Sequence, residues 1–302
     1  MKYKDKPIGV FDSGVGGLTV LRQLLRLLPG ERFIYLGDTA RVPYGNKSAE
    51  TIKHYTRQCV EFLMERDVKL IVAACNTASS FALNEAKALS DVPVIDVILP
   101  AAQAALETTR NGNIGIIGTR ATIESGAYPE AIRIFQSLRP PATRSVRAYS
   151  TACPLFVPLA EEDWGERPAA RLIAEEYLAP FRERYIDTLV LGCTHYPLLA
   201  DLIADLLPSV SLVDCGEYAA ESAHTALDQR DGLRNGTEAA EIQIFTTDIS
   251  LSFRAVADRF LGFSTPEPIN VAVDHHRGIR LPDDFTPEYY VLDQYSGGGH
   301  GR

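Results

Sequence analysis

Two cysteines that each follow a short apolar run are the residues of this sequence best suited to chemistry. Cys75 follows the apolar run 70–74, and Cys193 follows the run 188–192. A thiol placed between a strand and the next helix lies near the helix N-terminus, where the macrodipole and free N–H groups favour the thiolate. We therefore expect both thiols to have a pKa lowered from about 8.5 towards neutrality. A lone cysteine in this context is usually a buried structural residue, but the repeated context favours a functional pair.

Two thiols in equivalent contexts suit a reaction that is nearly symmetric. One thiolate removes a proton from a carbon, and the opposed thiol returns a proton to the other face. A redox couple is the alternative for the pair, but redox cysteines are usually close in sequence, and Cys75 and Cys193 are far apart. The sequence therefore predicts inversion of a chiral carbon acid.

The glycine-rich segment that begins at Asp12 and Ser13 ends the first predicted strand. Its glycines permit a tight turn and a close approach of the backbone. The dinucleotide-binding pattern GxGxxG is not completed, because Thr19 occupies the place of the third glycine. Asp12 can accept a hydrogen bond from a substrate ammonium or tune the Cys75 thiol, and the structural alternative is a cap on the following helix.

Other polar residues lie at predicted strand ends. His195 can stabilise a thiolate at Cys193 or carry a proton, and its structural alternative is a capping or core histidine. The loop residues Pro43, Tyr44 and Gly45 form either a wall of the site or only a turn. Short hydrogen-bond donors suited to holding carboxylates are Asn76, Thr77, Thr119, Thr122 and Thr194.

The elements that position these residues alternate between strand and helix, which predicts an α/β fold with a largely parallel sheet. The pattern then begins again: IGVFDSG and LIVAACNT in the first half correspond to IGIIGTR and LVLGCTH in the second. We interpret this as an internal duplication of a doubly wound unit. Ligands of open α/β sheets bind beyond the carboxyl ends of the strands, so the two halves are expected to face each other across a cleft.

Individual elements can be predicted from periodicity. Helices are expected at 18–28, at 48–65 with Ser48 as the N-cap, and at 167–184, and a strand is expected at 143–148. The segment 265–302 is rich in Pro, Asp and Gly, and we expect a loosely ordered extension whose role the sequence does not indicate.

Composition limits the class of protein. The chain has 302 residues, a formal net charge of -9 and a pI near 5.2, which disfavours nucleic acid or an anionic membrane as a partner. The absence of an apolar signal segment or a long apolar run favours a cytoplasmic enzyme. The five cysteines include no CxxC pair, so neither a zinc knuckle nor a thioredoxin-type redox couple is indicated, and no metal site is predicted.

Five segments together resemble the glutamate racemases, which are cofactor-independent amino-acid racemases: PIGVFDSGVGGLTVL, ARVPYGNKS, ACNTAS, ACPLFVPLAEE and LGCTHYPLL. The resemblance covers about residues 7–262. It implies two pseudo-symmetric flavodoxin-like domains, at 1–98 plus 209–264 and at 99–208, with the active site in the cleft between them. It also implies interconversion of L- and D-glutamate for peptidoglycan synthesis, no cofactor, and a homodimer. The segment 265–302 lies outside the resemblance.

The resemblance also implies roles for individual residues. Cys75 would remove the α-proton of D-glutamate and Cys193 that of L-glutamate, with Asp12 and His195 as auxiliary groups. A further carboxylate is Glu161, which we prefer to Glu162 from its spacing to Pro158. The substrate-binding set consists of Asp12, Ser13, Pro43, Tyr44, Gly45, Asn76, Thr77, Thr119, Thr122, Thr194 and His195. Family members often have glycine where this chain has Asp163-Trp164, so the approach to the second domain is expected to differ.

Two alternatives remain at this point. The first is a related racemase or isomerase with the same thiols, acting on aspartate or a hydantoin. The second is a redox-sensing or binding module with reactive cysteines. The DSGVGG and GCTHYPLL segments favour glutamate over the first, and a Cys75–Cys193 disulfide would favour the second.

Overall fold

The computed structural model describes residues 2–140, 145–234, 239–274, 278–282, 285–286 and 288–292. The strands of these residues are β1 (Ile8–Asp12), β2 (Arg32–Gly37), β3 (Leu70–Ala73), β4 (Val94–Asp96), β5 (Asn113–Gly118), β6 (Arg147–Ala152), β7 (Thr188–Gly192), β8 (Ser211–Asp214), β9 (Ala240–Thr246), β10 (Ile269–Asn270), β11 (Ala272–Asp274), β12 (Gly278–Arg280) and β13 (Tyr290–Leu292).

The helices of the same residues alternate with these strands. They are α1 (Leu18–Leu27), α2 (Ala49–Met64), α3 (Asn76–Leu89), α4 (Ile98–Thr108), α5 (Arg120–Glu124), α6 (Ala127–Ser137), α7 (Phe156–Glu161), α8 (Pro168–Glu183), α9 (Ala200–Leu206), α10 (Cys215–Asp228) and α11 (Phe253–Leu261). Short 3-10 helices cover Tyr3–Asp5, Thr39–Arg41, Tyr44–Asn46 and Tyr196–Leu199.

Two sheets organise the chain. The larger sheet has the order β10-β9-β2-β1-β3-β4, with β13 paired antiparallel to β9 and the other pairs parallel. The smaller sheet is parallel throughout and has the order β6-β5-β7-β8. We call each sheet with the helices packed on it the larger unit and the smaller unit. The predicted doubly wound α/β fold with two related units is confirmed.

The strand order shows the duplication directly. The larger unit contains β2-β1-β3-β4 and the smaller unit contains β6-β5-β7-β8, so each strand has a counterpart four strands later in the chain. The loop after β1 thus corresponds to the loop after β5, and the loop after β3 corresponds to that after β7. Because the carboxyl ends of parallel strands lie at one edge of a sheet, each unit presents two such loops at its ligand-binding edge.

Helix formation follows the apolar periodicity of the sequence. In α1, Leu18, Leu21, Leu24 and Leu25 are all buried, as expected for one face of a helix packed on a sheet. The predicted N-cap Ser48 is confirmed, since its side chain accepts a hydrogen bond from the backbone N–H of Thr51. The helix expected at 167–184 is α8.

Two predicted positions differ from the structure. The strand expected at 143–148 is β6, which begins at Arg147; residues 143 and 144 lie outside the described part of the chain. Its residues are exposed or half-buried, so no buried apolar run marks its start. The segment 209–264, expected in the first domain, begins with β8, which pairs with β7 in the smaller sheet.

The C-terminal segment is more ordered than expected among its described residues. β10 and β13 both pair with β9, while β11 and β12 form an antiparallel pair beside α2. Val271, Ile279 and Leu292 are buried against the larger unit. The expectation of a loosely ordered extension is therefore wrong for these residues, because isolated apolar residues among Pro, Asp and Gly still find partners along β9 and α2.

No helix among the described residues is long and apolar enough to cross a membrane.

Candidate active site

A cavity of about 240 Å³ lies between the two units, and both Cys75 and Cys193 contribute to its wall. The other predicted site residues that line it are Ser13, Pro43, Tyr44, Gly45, Asn76, Thr77, Thr119, Glu161, Thr194 and His195. Asp12 and Thr122 are buried behind this lining. A cavity of this size suits a small organic molecule.

Cys75 occupies the turn between β3 and α3. Its Sγ accepts a hydrogen bond from the backbone N–H of Ala78 at 3.4 Å, so the sulfur is the N-cap of α3. The thiol donates to Oγ of Ser13 at 3.5 Å. Only 5% of Cys75 is exposed to solvent. The strand end and the helix N-terminus thus hold the sulfur at the cavity wall, as the sequence context predicted.

Burial reverses the expected effect on the acidity of this thiol. Desolvation and the nearby Asp12 raise the pKa of Cys75 to about 12, although hydrogen bonds from Ala78 and Ser13 oppose the rise. The lowered pKa expected for Cys75 is therefore wrong. The free energy needed to remove a thiolate from water exceeds the stabilisation that one helix N-terminus provides. With this raised pKa the Cys75 thiol is protonated at neutral pH and can act as a proton donor.

Cys193 has a different neighbour. His195 Nδ1 lies 3.8 Å from the Cys193 sulfur, and His195 Nε2 lies 3.0 Å from Oε1 of Glu161. Burial lowers the pKa of His195, but its hydrogen bonds to Cys193 and Glu161 outweigh burial and raise it to about 10. A protonated imidazole at this distance stabilises negative charge on the Cys193 sulfur. The two thiols thus lie in equivalent places of the fold with unlike electrostatic surroundings.

The two adjacent glutamates differ in their contacts. Glu161 is the last residue of α7 and contacts His195, whereas Glu162 follows the helix and is exposed.

Asp12 lies at the end of β1 and is 1% exposed. Its Oδ2 accepts a hydrogen bond from the N–H of Gly14 at 3.0 Å, and its Oδ1 has no partner among the described residues. Burial raises the pKa of Asp12, which the charge of His195 and backbone N–H groups oppose. Asp12 is therefore close enough to influence both Cys75 and His195 electrostatically. The sequence predicted only its influence on Cys75.

The glycine-rich turn after β1 lets the two units approach each other. A Cβ at Gly16 would clash with Thr194 Oγ1 and lie 2.5 Å from Cε1 of His195. The hydroxyl of Thr19 donates to the carbonyl oxygen of Thr194 at 2.8 Å in a buried hydrogen bond between the units. The glycines of this turn therefore serve close packing against the second thiol loop, not nucleotide binding.

Asn76 supplies a buried amide to the cavity. Its Oδ1 accepts a hydrogen bond from the hydroxyl of Tyr128 at 2.6 Å, and its Nδ2 has no partner among the described residues. A buried donor without a partner is costly, so a substrate carboxylate at this point would be stabilised.

Three threonine hydroxyls connect the units at the edge of the cavity. Thr77 of α3 lies 3.1 Å from Thr119 and 3.2 Å from Thr122, and Thr119 lies 3.0 Å from Thr122. Thr119 is also the N-cap of α5. Thr122 supports the other two hydroxyls from behind, so only part of the predicted threonine set faces the cavity directly.

The loop with Tyr44 is anchored by a buried carboxylate. The Tyr44 hydroxyl donates to Asp38 Oδ2 at 2.5 Å, Arg41 Nε donates to the same oxygen at 2.7 Å, and Thr247 donates to Oδ1 at 3.0 Å. Since Tyr44 is 1% exposed, this network fixes the loop as a wall of the cavity.

Several residues of the site were not predicted from the sequence. Arg120 lines the cavity, is exposed, and is the only arginine or lysine of its described lining. Val42, Asn46, Pro154, Val157 and Pro158 complete the lining. Phe260 of α11 places its ring 5.1 Å from that of His195, nearly perpendicular to it. Arg120 and the other lining residues lie within the quoted segments IGIIGTR, ARVPYGNKS and ACPLFVPLAEE, although the sequence analysis assigned them no role. Only a tertiary contact could identify Phe260, which lies outside every quoted segment.

The described residues offer little for a bound metal or pyridoxal group. They contain no cluster of three or more His, Cys, Asp or Glu side chains placed to hold a metal ion. The described cavity lining contains no lysine, the residue that would form a Schiff base with a pyridoxal aldehyde. The donor set of the described lining instead consists of thiols, hydroxyls, two amides, one imidazole and one guanidinium.

Comparison with known proteins agrees with these features. Residues 8–223 match the family model described as Asp/Glu/Hydantoin racemase. A glutamate racemase of Syntrophus aciditrophicus is 48% identical over 261 residues, covering 86% of this chain and 94% of that protein. A glutamate racemase of Geobacter metallireducens is 46% identical over 270 residues, covering 89% of this chain and 97% of its own.

A solved structure is similar throughout the same region. The crystal structure of glutamate racemase from Francisella tularensis in complex with D-glutamate is 38% identical in sequence, with a TM-score of 0.83. The match covers 90% of this chain and 99% of that one.

Proposed function

Because this chain belongs to the Asp/Glu/hydantoin racemase family, we propose that its cavity binds glutamate and that Cys75 and Cys193 exchange the α-proton. The chain is an isomerase that interconverts L- and D-glutamate, and in a bacterium this reaction supplies D-glutamate for peptidoglycan. The observation that supports the thiol mechanism best is that one cavity is lined by both sulfurs, each from the equivalent strand end of its unit.

The assignment of one thiol to each enantiomer rests on the family resemblance. With L-glutamate, the thiolate of Cys193 removes the α-proton and the protonated Cys75 thiol delivers a proton to the opposite face. With D-glutamate the roles are reversed. His195, held by Glu161, stabilises the Cys193 thiolate, and Asp12 influences the Cys75 side.

The α-carbon of an amino acid is a weak acid, so the site must stabilise a carbanionic transition state. Asn76, Thr77 and Thr119 line the cavity, and the Nδ2 of Asn76, which has no partner among the described residues, and the two hydroxyls are suited to the substrate carboxylates. Fixed donors in a cavity that excludes water stabilise developing charge more strongly than mobile water does. Ser13, Thr194 and the loop Pro43-Tyr44-Gly45 complete the proposed substrate-binding set.

Exchange with deuterium oxide tests the reaction. Purified protein with either enantiomer is expected to give the opposite enantiomer with deuterium at the α-carbon. Cys75→Ser and Cys193→Ser are each expected to lose racemisation by about 10²-fold or more, while Cys59→Ala, a buried thiol outside the cavity lining, keeps it. Full activity in either serine variant would exclude the two-thiol mechanism.

Cofactor independence, substrate class and redox state need separate experiments. Activity that disappeared on dialysis and returned with pyridoxal phosphate would contradict the proposal. A panel containing aspartate and hydantoins distinguishes related substrates, and the relatives named above favour glutamate. A Cys75–Cys193 disulfide found by mass spectrometry, with no racemisation after reduction, would favour a redox module.

A homodimer and a cytoplasmic location remain predictions that rest on the family resemblance and on composition. Analytical ultracentrifugation and cell fractionation, respectively, test them.

A further inference from the structure

Helix α11 of the larger unit contacts the end of α7 in the smaller unit through one arginine. Arg259 Nη1 donates to the carbonyl oxygen of Glu161 at 2.7 Å and to that of Ala160 at 3.2 Å. These are the last two carbonyls of α7. A guanidinium at a helix C-terminus satisfies carbonyls that lack intrahelical partners and interacts favourably with the helix dipole.

Backbone hydrogen bonds close the end of α7, since the N–H of Trp164 donates to the carbonyl of Leu159 at 2.8 Å and that of Asp163 to Ala160 at 3.3 Å. Arg259 is the contact that ties this turn to the larger unit. α7 has only six residues, and Asp163 just beyond it has a left-handed φ of 57°. The Glu161 side chain is 38% exposed, whereas that of His195 is 9% exposed. A partly exposed glutamate has many rotamers, so keeping its carboxylate on a buried histidine requires a fixed backbone.

The next residue of α11 contacts the other member of the pair. Phe260 packs its ring edge-to-face with His195 at 5.1 Å between ring centres. Consecutive residues of one helix therefore contact the backbone of Glu161 and the ring of His195. Neither residue lines the proposed substrate cavity with a donor of its own.

We propose that Arg259 is a positioning residue for racemisation, because it holds the end of α7 so that Glu161 stays hydrogen-bonded to His195 beside Cys193. The inference rests on the proposed two-thiol function. Since Arg259 belongs to the larger unit and Glu161 to the smaller one, the same contact makes the Cys193 side of the site depend on how the units are packed.

The competing explanation is that Arg259 only stabilises the fold, for which its ion pair with Asp163 is the relevant contact. Arg259 Nε lies 3.6 Å from Oδ1 of Asp163, whose side chain is 73% exposed. Exposed pairs of this kind contribute little to stability. The decisive readout must therefore be the chemistry at Cys193, not the melting temperature alone.

Arg259→Met keeps the aliphatic stem and removes the donors, and Arg259→Lys restores one charged donor. The matched control is Arg254→Met on the same helix, where an exposed side chain contacts only Glu267 at 3.4 Å among the interactions described. We expect Arg259→Met to lower kcat about 10- to 100-fold with a smaller change in KM, because a small displacement of a catalytic group has an effect of that size. Arg259→Lys is expected to recover part of the loss, and Arg254→Met to keep the parent rate.

Combination with Glu161→Gln separates positioning from general destabilisation. If Arg259 acts through Glu161, then Arg259→Met should lower kcat by a much smaller factor in the Glu161→Gln variant than in the parent protein. An equal loss in both backgrounds would overturn the proposal.

Isotope effects identify which sulfur is affected. Enantiomers have equal free energies, so any variant lowers kcat/KM equally in the two directions. Impairing Cys193 alone slows removal of the α-proton from L-glutamate, so the primary kinetic isotope effect on kcat/KM should rise with α-deuterated L-glutamate. The same effect should fall with α-deuterated D-glutamate, because the slow step is then the later proton transfer at Cys193. An unchanged pair of isotope effects contradicts the inference, and this measurement on Arg259→Lys remains available if Arg259→Met does not fold. Failure of the parent protein to racemise would instead reject the proposed function.

Discussion

Oε1 of Glu161 lies 3.0 Å from Nε2 of His195, while the other ring nitrogen of His195 lies 3.8 Å from the sulfur of Cys193. Among the described residues no imidazole is hydrogen-bonded to Cys75, whose sulfur contacts Ser13 and the N–H of Ala78. The two thiols therefore have the same proposed role in proton transfer but different electrostatic surroundings. Substitutions on the Cys193 side should affect charge, whereas substitutions near Cys75 should affect solvation.

Replacing Glu161 tests the Cys193 side of the cavity. Glu161→Gln removes the charge that stabilises protonated His195, so we expect racemisation to fall at least about tenfold. Glu162→Gln is the matched control, because Glu162 is the exposed neighbour. Steady-state rates with each enantiomer make the comparison. Equal losses in both variants would show that Glu161 has no special role.

The pKa of His195 predicts a pH dependence of stability. Its folded pKa of about 10 exceeds its ordinary value of 6.5, so protonated His195 stabilises the fold fully below about pH 6.5. This contribution decreases as the pH rises through 10. We expect the free energy of unfolding in urea to fall more between pH 7 and pH 10 in the parent than in His195→Asn. Parallel pH profiles would contradict the assigned shift.

The close approach at Gly16 predicts an effect of a single methyl group. Gly16→Ala places a Cβ 2.5 Å from the ring of His195, so either the turn or the histidine must move. We expect a loss of about 1–3 kcal/mol in stability and a larger relative loss of activity. Gly165→Ala is the control, because its Cβ would meet a movable Leu199 methyl at 3.3 Å and the Leu198 carbonyl oxygen at an ordinary contact distance of 3.9 Å. Unchanged kinetics in Gly16→Ala would show that this packing is not needed.

Arg120 predicts a contribution to capture of an anionic substrate. Arg120→Ala should raise KM about 2- to 5-fold with kcat nearly unchanged, and should weaken the dependence of kcat/KM on salt. Arg133→Ala changes the net charge equally but lies in an exposed pair with Glu130, so it controls for long-range effects. Identical KM values for the two variants would exclude a local role of Arg120.

The C-terminal strand predicts a stability effect far from the cavity. Leu292 of β13 is 4% exposed, and Leu292→Ala should cost about 2–5 kcal/mol if this strand remains paired with β9 in solution. Val291→Ala on the same strand is the control, since Val291 is 50% exposed. Thermal denaturation compares them. Equal melting temperatures would show that β13 does not contribute to the fold.

Much of the site could be predicted from local sequence. The strand–Cys–helix pattern locates Cys75 and Cys193, because the turn after a parallel strand and the following N-cap depend on neighbouring residues. The repeated segments likewise predict two units with the same strand order. These features need only local periodicity and the geometry of parallel sheets.

The rest depends on contacts between distant residues. The direction of the Cys75 pKa shift reflects how completely the packed units exclude water, which a helix N-terminus alone does not indicate. The Arg259 contact with α7 joins segments almost one hundred residues apart. The sequence by itself determined which thiols, turns and strands exist, because these follow from short-range geometry. Only the tertiary structure decided the burial and the charged neighbours of each thiol, because desolvation and Coulomb interactions depend on distance in space.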